Sequence, residues 1–268
     1  MLRLSQARRK DQNAGQPIES PFNIVRSTES HFRRGQLGLI AGGPGTGKTA
    51  LLHNMIQRGN GLTGDDKRVN TCLYFSADSD ANTIFKRAVS IETGWEQSEV
   101  ERLLREGRQA ELDNIVDQAA SHFQWSFRSS PDDVDVHNEV EGYATAHGAY
   151  PEIIAVDNLK NGFFSGNAGE FEALEGNCEF LHQLAKDTGA CVISLHHVTG
   201  DNEDGMKPIP MSGLRGKVSK TPAVIWTLYR TPNHINISPV KNRNGRAEAS
   251  GAWSLPILAD LGRMQYAG

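Results

Sequence analysis

The feature that most constrains the fold of this chain is a glycine-rich octapeptide between an apolar run and an amphipathic segment. It satisfies the pattern G-x-x-x-x-G-K-[ST] with the residues Gly42, Gly43, Pro44, Gly45, Thr46, Gly47, Lys48 and Thr49. The apolar residues 37–41 predict a short buried strand, and the apolar residues within 49–57 recur at helical spacing. A strand, a glycine loop and a helix in this order indicate a phosphate-binding loop; the alternative is a plain glycine-rich turn.

The residue types of this loop suit phosphate chemistry. Its glycines let backbone N–H groups approach phosphate oxygens without a Cβ clash, and the following helix presents the positive end of its dipole. In loops of this kind the lysine, here Lys48, reaches the β- and γ-phosphates, and the hydroxyl of Thr49 binds Mg²⁺. The sequence therefore predicts a site for a nucleoside triphosphate with Mg²⁺.

Length and composition limit the remaining classes of protein. A chain of 268 residues fits one large α/β domain, or a domain with an arm. Its 38% hydrophobic and 22% charged residues are the ordinary balance of a soluble globular protein. We expect neither a transmembrane helix nor a signal peptide, because the sequence has no run of 18 apolar residues and its first ten residues lack an apolar core. The cysteines Cys72, Cys178 and Cys191 lack metal-site spacing, which favours free thiols in a reducing compartment. We expect a cytoplasmic protein without membrane contact.

Apolar runs alternate with segments of helical periodicity along the chain. Strands are predicted at residues 37–41, 70–75, 153–156, 190–195, 224–228, 235–240 and 253–257. Helices are predicted at residues 49–57, 80–91, 96–122 with a break near Gly107, and 170–186. This order predicts an α/β fold, with a mostly parallel twisted sheet covered by helices on both faces and the last strands compatible with antiparallel pairing. Residues 1–30 are polar and predict an arm or linker, and residues 31–268 predict the domain.

Acidic residues follow two of the predicted strands. Asp157 closes the apolar run 153–156, which is the Walker B form, and its carboxylate is expected to bind Mg²⁺ directly or through water. A capping or turn role is the alternative. Asp78 follows the strand at 70–75, where a carboxylate can accept a proton from an attacking water. A helix N-cap is an equal alternative for Asp78, although Ser79 and Asp80 are also available for that role.

A pair of histidines, His196 and His197, closes the strand predicted at 190–195. Neighbouring residues of a strand point to opposite faces, so at most one of the two faces the nucleotide, and a two-histidine metal site is disfavoured. We assign His197 to contact with the γ-phosphate and to the reporting of hydrolysis. A purely structural histidine is the alternative.

The charge of the chain is unevenly distributed. The net charge is −4, yet residues 212–247 contain no Asp or Glu and hold Arg215, Lys217, Lys220, Arg230, Lys241, Arg243 and Arg246. An acidic loop with Asp201, Glu203 and Asp204 precedes this stretch. A local basic surface on an acidic protein suits contact with a phosphate backbone, and a solvated basic face without a partner is the alternative.

The end of this basic stretch carries a turn signal, Asn244-Gly245. A hairpin at this point would hold Lys241 and Arg243 outward. Such a pair suits an arginine finger, which neutralises charge in the transition state of phosphoryl transfer. An ordinary cationic hairpin tip is the alternative.

Together these residues resemble the RecA-like motor domain of DnaB-type replicative helicases, including phage and plasmid relatives. The resemblance spans residues 31–258. It rests on the glycine loop, on Phe75-Ser76-Ala77-Asp78, on Asp157, on Leu195-His196-His197, on Gly213-Leu214-Arg215-Gly216 and on Lys241-x-Arg243-Asn244-Gly245. The last element is the most discriminating of these, because Walker motifs are common to the whole class of P-loop ATPases.

The resemblance implies a DNA helicase that hydrolyses ATP with Mg²⁺ at the interfaces of a homo-oligomeric, hexameric ring and moves along single-stranded DNA during replication. Arg215, Lys217 and Lys220 would follow the DNA backbone, and Lys241 and Arg243 would complete the ATP site of the neighbouring subunit. A loader or a primase is a further partner of such helicases that the sequence does not identify. Asp78 stands where the family has Glu, His197 stands where it has Gln, and we expect the N-terminal domain of the family to be absent.

Two other classes are weighed against this interpretation. A RecA- or KaiC-like ATPase or recombinase would share the motifs and act on DNA without unwinding it. A monomeric P-loop kinase of small molecules would also share the glycine loop. The sequence offers no arginine-rich lid for a kinase, and a monomer has no use for cations that act on a neighbouring subunit.

Overall fold

The central strand of the protein, β1 (Leu37–Gly42), leads directly into the glycine loop. In the computed structural model, which describes residues 14–59, 70–161, 169–216 and 218–267, it lies within a nine-stranded sheet. The other strands are β2 (Cys72–Ser76), β3 (Phe123–Ser126), β4 (Ile153–Asp157), β5 (Cys191–His197), β6 (Val224–Thr231), β7 (His234–Asn242), β8 (Leu255–Asp260) and β9 (Gln265–Ala267). Their order across the sheet is β3-β2-β4-β5-β1-β6-β7-β8-β9.

The sheet is parallel from β3 to β6 and antiparallel from β6 to β9. The predicted mostly parallel α/β architecture is therefore confirmed, including the antiparallel pairing of the last strands. In such sheets ligands bind beyond the carboxyl ends of the strands. At that edge β1 lies between β5 and β6, so the glycine loop opens at the middle of the sheet.

Seven helices are described: α1 (Asn23–Ser27), α2 (Lys48–Arg58), α3 (Ala81–Thr93), α4 (Gln97–Arg105), α5 (Gln109–Ala119), α6 (Asp133–His147) and α7 (Glu170–Thr188). One face of the sheet packs against α2, with Leu51, Leu52 and Ile56 in its core cluster. The other face packs against α6 and α7, with Val136 and Leu181 in a second cluster. Strands β2, β4, β5 and β1 are therefore covered on both sides, which explains why their sequences are almost wholly apolar.

Most predicted elements are confirmed, and three elements were not predicted. The helical region predicted at 96–122 is broken as expected, with Gly107 between α4 and α5 at a φ of +80°. The missed elements are β3, α6 and the three-residue strand β9. Strand β3 has only four residues and lies at the edge of the sheet, whereas α6 begins at a capping box in which Asp132 and Asp135 each bind the other's backbone N–H.

The described part of the predicted arm, residues 14–30, packs on the domain. Ile18, Phe22 and Val25 are at most 4% exposed and belong to the same core cluster as α2. Pro17 forms an isolated antiparallel bridge with Arg33, and the short helix α1 lies within this segment. Residues from 14 onward therefore contribute apolar contacts to the fold. Within the described residues, no helix is both long enough and apolar enough to span a membrane.

Candidate active site

The glycine loop joins β1 to α2 in a conformation that requires glycine. Gly47 is the N-cap of α2 and has a φ of +92°, in the left-handed region that residues with a Cβ rarely adopt. A Cβ on Gly47 would also lie 2.6 Å from Cδ1 of Ile235 in β7. The loop is therefore shaped by its glycines, and the N–H groups of the first turn of α2 face the loop.

Lys48 is the first residue of α2, and its side chain folds back into the loop. Its Nζ donates hydrogen bonds to the carbonyl oxygens of Gly42 at 3.0 Å and Gly43 at 2.9 Å. Burial lowers the pKa of this ammonium group, and the carboxylates of Asp157 and Asp78 oppose the shift. A buried cation bonded to neutral carbonyls is suited to receive an anion.

Asp157 and Thr49 meet at the carboxyl ends of β4 and β1. The Thr49 hydroxyl donates to Oδ2 of Asp157 at 2.8 Å, and the buried Tyr74 hydroxyl lies 3.4 Å from the same oxygen. Asp157 is 4% exposed, and burial raises the pKa of its carboxyl, with the Thr49 hydrogen bond opposing the shift. The two residues assigned to Mg²⁺ thus lie side by side.

This pair fits a magnesium ion. Mg²⁺ prefers oxygen ligands and is held in phosphate sites by one or two protein oxygens together with water and substrate phosphates. A hydroxyl and a desolvated carboxylate in contact, beside the loop lysine, are such a set. Among the described residues no three His, Cys, Asp or Glu side chains cluster as an all-protein metal site would need.

Asp78, Asn158 and His197 come together from the ends of three neighbouring strands. The Asn158 side-chain amide donates to Asp78 Oδ2 and lies 3.3 Å from His197 Nε2. Asp78 is exposed, and Asn158 is 4% exposed. Asp80, not Asp78, is the N-cap of α3, because the Asp80 carboxylate accepts from the N–H of Thr83. The capping alternative for Asp78 is therefore excluded, and its role as proton acceptor stays a prediction.

The two histidines contact different parts of the protein, as the strand geometry predicts. His197 is half-buried next to Asn158, and burial together with the Lys48 charge lowers its pKa. His196 is buried, and its Nε2 lies 2.7 Å from the carbonyl oxygen of Arg215. That nitrogen must carry the proton, because a carbonyl only accepts. The end of β5 is thus bonded to the loop that holds Arg215.

Two of the three basic residues assigned to DNA contact, Arg215 and Lys220, lie beside the start of α7. Arg215 forms an ion pair with Glu170 at 2.6 Å, and Lys220 forms a longer one with Glu175 at 3.4 Å. Both cations remain at least partly exposed. Lys217 lies outside the described residues. Part of the positive charge of this surface is therefore balanced by acids of α7.

The chain turns at residues 243–245 as expected, but the prediction of a tight hairpin at Asn244-Gly245 is wrong. The two-residue turn lies instead between β6 and β7, and residues 243–254 form a long connection from β7 to β8. Lys241 does not point outward, because its Nζ donates to the carbonyl oxygens of Ser219 at 2.6 Å and Lys220 at 2.8 Å. The exposed Arg243 donates to the carbonyls of Lys220 and Thr221. Both cations therefore hold the segment that leads into β6.

Lys241 and Arg243 lie at the opposite end of β1 from the glycine loop. Gly38 of β1 pairs with Val224 of β6, and Val224 pairs with Asn242 of β7. The loop begins where Gly42 pairs with Leu228. Four residues of strand, roughly 13 Å, therefore separate the level of the sheet that holds these cations from the level at which the glycine loop begins. These cations cannot serve the glycine loop of their own chain.

Several residues that border the loop belong to no sequence motif. A cavity of ≈ 720 Å³ lies at the last turn of α2, beside β8 and β9, and its lining includes Arg58, Arg230 and Tyr266. Tyr266 donates to the carbonyl of Gly47 at 3.3 Å, and Arg230 donates to that of Gly45 at 3.3 Å. A Tyr near the C-terminus carries no motif, so only the return of β9 to α2 could identify it.

The acidic loop also borders the phosphate-binding loop. A Cβ on Gly43 would lie 2.1 Å from the carbonyl oxygen of Glu203, so these two backbone segments are in direct contact. The exposed Glu203 side chain therefore belongs to a loop that covers one side of the site.

The sequence was compared with protein families and with other proteins. Residues 18–251 match the family described as the DnaB-like helicase C-terminal domain. A relative, the Gene 65 protein of Mycobacterium phage L5, is 36% identical over 248 residues, which are 89% of this chain and 88% of the relative. The match therefore covers most of both chains.

The fold was compared with solved structures. One structure, described as an ATPase domain, superimposes with a TM-score of 0.79 at 14% identity, covering 98% of this chain and 95% of that one. A DnaB-like replicative helicase, described with its interactions with primase, gives 0.78 at 14% identity; the match covers 97% of this chain and 63% of that one. A KaiC-like protein of Pyrococcus horikoshii gives 0.61 at 15% identity, covering 94% and 98%. The RecA-like fold predicted from the sequence is thereby confirmed.

Proposed function

The chain belongs to the family of DnaB-like helicase C-terminal domains, and from this premise we propose that it is an ATP-driven DNA helicase. It would move along single-stranded DNA during replication and hydrolyse ATP between the subunits of a homo-oligomer, most simply a hexameric ring. The observation that carries this proposal is the pairing of Thr49 with Asp157 beside Lys48, while the cations Lys241 and Arg243 lie at the far end of the same sheet.

ATP would bind with its phosphates in the loop 42–49. The Lys48 ammonium would exchange its carbonyl partners for oxygens of the β- and γ-phosphates. Thr49 and Asp157 would hold Mg²⁺, which neutralises phosphate charge. The nucleoside would extend into the adjoining cavity, where Arg230 and Tyr266 contact the carbonyls of the loop. Arginine and tyrosine both offer flat surfaces on which a base stacks.

Asp78 is the proposed proton acceptor for hydrolysis. A water oxygen would attack the γ-phosphorus, the bond to the β–γ bridging oxygen would break, and ADP would leave with that electron pair. The carboxylate of Asp78 would take the proton of the water, as its exposure at the carboxyl end of β2 allows. His197, joined to Asp78 through Asn158, would register loss of the γ-phosphate.

The opposite placement of the loop and the cations supports a site shared between subunits. A charge that completes the transition state must lie within a few ångströms of the γ-phosphate. Lys241 and Arg243 lie at the other level of their own sheet, so we propose that they serve the loop of a neighbouring chain. A head-to-tail contact of this type generates rings or helical filaments.

Contact with DNA is assigned to the loop that begins at Arg215. Arg215, Lys220 and Lys217 would contact phosphates without reading bases, so the affinity should fall steeply with salt. The loop is tied to the candidate catalytic residues by the His196 contact and by the hydrogen bond from Arg215 N–H to the His197 carbonyl at 3.3 Å. These bonds support coupling between ATP hydrolysis and DNA contact.

A DNA-dependent ATPase or recombinase of RecA or KaiC type, without unwinding, is the second candidate. The similarity of the fold to the KaiC-like protein favours it, because the RecA-like fold alone does not distinguish a motor from a switch.

Forked-duplex unwinding by the wild type and by Lys48→Ala separates the two candidates. ATP-dependent strand separation that is lost in Lys48→Ala supports the helicase. ATP hydrolysis stimulated by single-stranded DNA without strand separation supports the second candidate. A monomer by mass photometry with ATP, together with an ATP turnover that does not change when DNA is added, contradicts both candidates.

A further inference from the structure

Asn158 is the residue through which the candidate proton acceptor and the candidate sensor meet. It directly follows Asp157 at the end of β4, and its side chain is 4% exposed. One end of its amide donates to Asp78 Oδ2 and lies 3.3 Å from His197 Nε2. The other end, Oδ1, accepts from the backbone N–H of Lys160 at 2.9 Å. A single buried amide therefore bonds residues from three elements.

The orientation of this amide follows from its partners. The backbone N–H of Lys160 can only donate, so the atom that faces it must be the amide oxygen. The amide nitrogen then faces Asp78 and His197, and an ionised carboxylate accepts its hydrogen. Since the amide nitrogen can only donate, Nε2 of His197 must accept, and the His197 ring is neutral with its proton on Nδ1.

The surroundings of His197 are consistent with this neutral form. The charged groups around it are Lys48 from the glycine loop, Lys160 after β4, Arg215 from the basic loop and Asp78 after β2. Burial and the three cations lower the pKa of His197, whereas Asp78 raises it. Asn158 thus fixes the acceptor of His197 without adding charge to a crowded electrostatic environment.

We propose that Asn158 is a positioning residue that holds Asp78 and His197 in one fixed geometry during ATP hydrolysis. The inference rests on the proposed function, since it gives Asp78 and His197 their roles. Holding one carboxylate oxygen of Asp78 orients the whole group for transfer of the water proton. Keeping the proton of His197 on Nδ1 makes that atom the only donor of the ring.

The test compares Asn158→Ala and Asn158→Asp with the wild type. Asn236→Ala in β7 is the matched control, because Asn236 is also buried and its side chain makes long hydrogen bonds to Tyr229 and Thr231. Asn158→Ala should lower kcat of ATP hydrolysis by about 10-fold or more, while nucleotide affinity stays within about twofold of wild type. Its effect should be non-additive with that of His197→Ala, because the two residues act through one contact.

Asn158→Asp provides a measurement, the titration of His197, that would stay unchanged if Asn158 had only a structural role. The new carboxylate would face both Asp78 and His197, and it would favour the charged imidazolium. The His197 titration, followed by NMR of protein with ¹³C-labelled histidine, should move to higher pH by about one unit or more relative to wild type. The pH–rate profile should shift in the same direction.

The possible results separate this inference from the proposed function. A wild-type protein without ATPase activity contradicts the proposed function, and the NMR titration then still decides whether Asn158 sets the state of His197. Wild-type kcat in Asn158→Ala, or an unchanged His197 titration in Asn158→Asp, overturns the inference. If Asn158→Ala fails to fold, the His197 titration of Asn158→Asp still tests the inference.

Discussion

The Thr49 hydroxyl donates a hydrogen bond of 2.8 Å to Oδ2 of Asp157, across 108 residues of sequence. The bond joins the start of α2 to the end of β4, and it exists only because β5 alone separates β1 from β4 in the sheet. The glycine loop and the strand that ends in Asp157 therefore bring a hydroxyl and a carboxylate together beside Lys48.

The first prediction concerns the Thr49–Asp157 pair as the magnesium site. Asp157→Asn keeps the size of the side chain and removes the charge, so the variant should need roughly 10- to 100-fold more Mg²⁺ for half-maximal ATP hydrolysis. A titration of activity against Mg²⁺ measures this. Asp113→Asn, a change on α5 away from the loop, is the control. An unaltered Mg²⁺ requirement in Asp157→Asn would remove Asp157 from the metal site.

The second prediction concerns the cations at the far end of the sheet. Arg243→Ala should abolish ATP hydrolysis while nucleotide binding survives, because the charge acts in the transition state of a neighbouring site. A mixture of Arg243→Ala with Lys48→Ala should regain activity, since some interfaces then combine an intact loop with an intact Arg243. Two inactive proteins that stay inactive after mixing, despite co-assembly, would argue against a shared site.

The third prediction concerns the acids that face the basic loop. Glu170 pairs with Arg215, so Glu170→Gln should free the Arg215 side chain to contact DNA phosphate. Exposed ion pairs contribute about 0.2–1 kcal/mol, and affinity for single-stranded DNA should therefore rise by up to about fivefold. Arg215→Ala should weaken binding and reduce the salt slope by about one. Fluorescence anisotropy over a salt series measures both.

Glu99→Gln on α4 is the control for this experiment, because Glu99 pairs with Arg102 of its own helix. Equal affinities of wild type, Glu170→Gln and Arg215→Ala would move the DNA contact away from this loop.

The fourth prediction concerns the pH dependence of stability. His53 on α2 is fully buried against Phe123 and Trp125, and burial lowers its pKa to about 3. Neither ring nitrogen has a hydrogen-bond partner in the described part of the chain. Between this value and the unfolded pKa of about 6.5, only the unfolded state binds the proton. Stability from this residue is therefore complete above about pH 6.5 and is lost as the pH falls, by about 1.4 kcal/mol per pH unit.

His53→Phe should make the free energy of unfolding less dependent on pH by that amount. Urea unfolding of wild type and variant at about pH 7, 6 and 5 measures the difference. The other histidines with lowered pKa values, namely His31, His122, His182, His196 and His197, remain in both proteins and cancel in the comparison. Parallel stability curves would contradict the assignment.

The elements and motifs that depend on local sequence could be predicted, because apolar periodicity and glycine chemistry act over a few residues. The strand before Gly42 and the helix after it are examples. Strand β3 could not, because four residues give too little periodicity. Helix α6 could have been found, since Val136, Val140 and Tyr143 recur at helical spacing after the Asp132 cap.

The parts of the site that depend on topology could not be predicted in the same way. Asn158 carries no motif, and its role appears only when the ends of β2, β4 and β5 lie side by side. Lys241 and Arg243 were identified from their pattern, but the hairpin assigned to them was wrong, because the turn signal at Asn244-Gly245 begins a long connection. A turn signal specifies a local bend and not the partner of the strand that follows.

The placement of the glycine loop and the Lys241–Arg243 pair at opposite levels of one sheet determines how many complete ATP sites an assembly contains. If each site takes its cations from the next chain, an open arc of subunits always has one loop without a donor and one donor without a loop. Closure removes both at once, so the number of complete sites rises from one fewer than the number of chains to the full number. Turnover per chain would then report directly whether the assembly is closed.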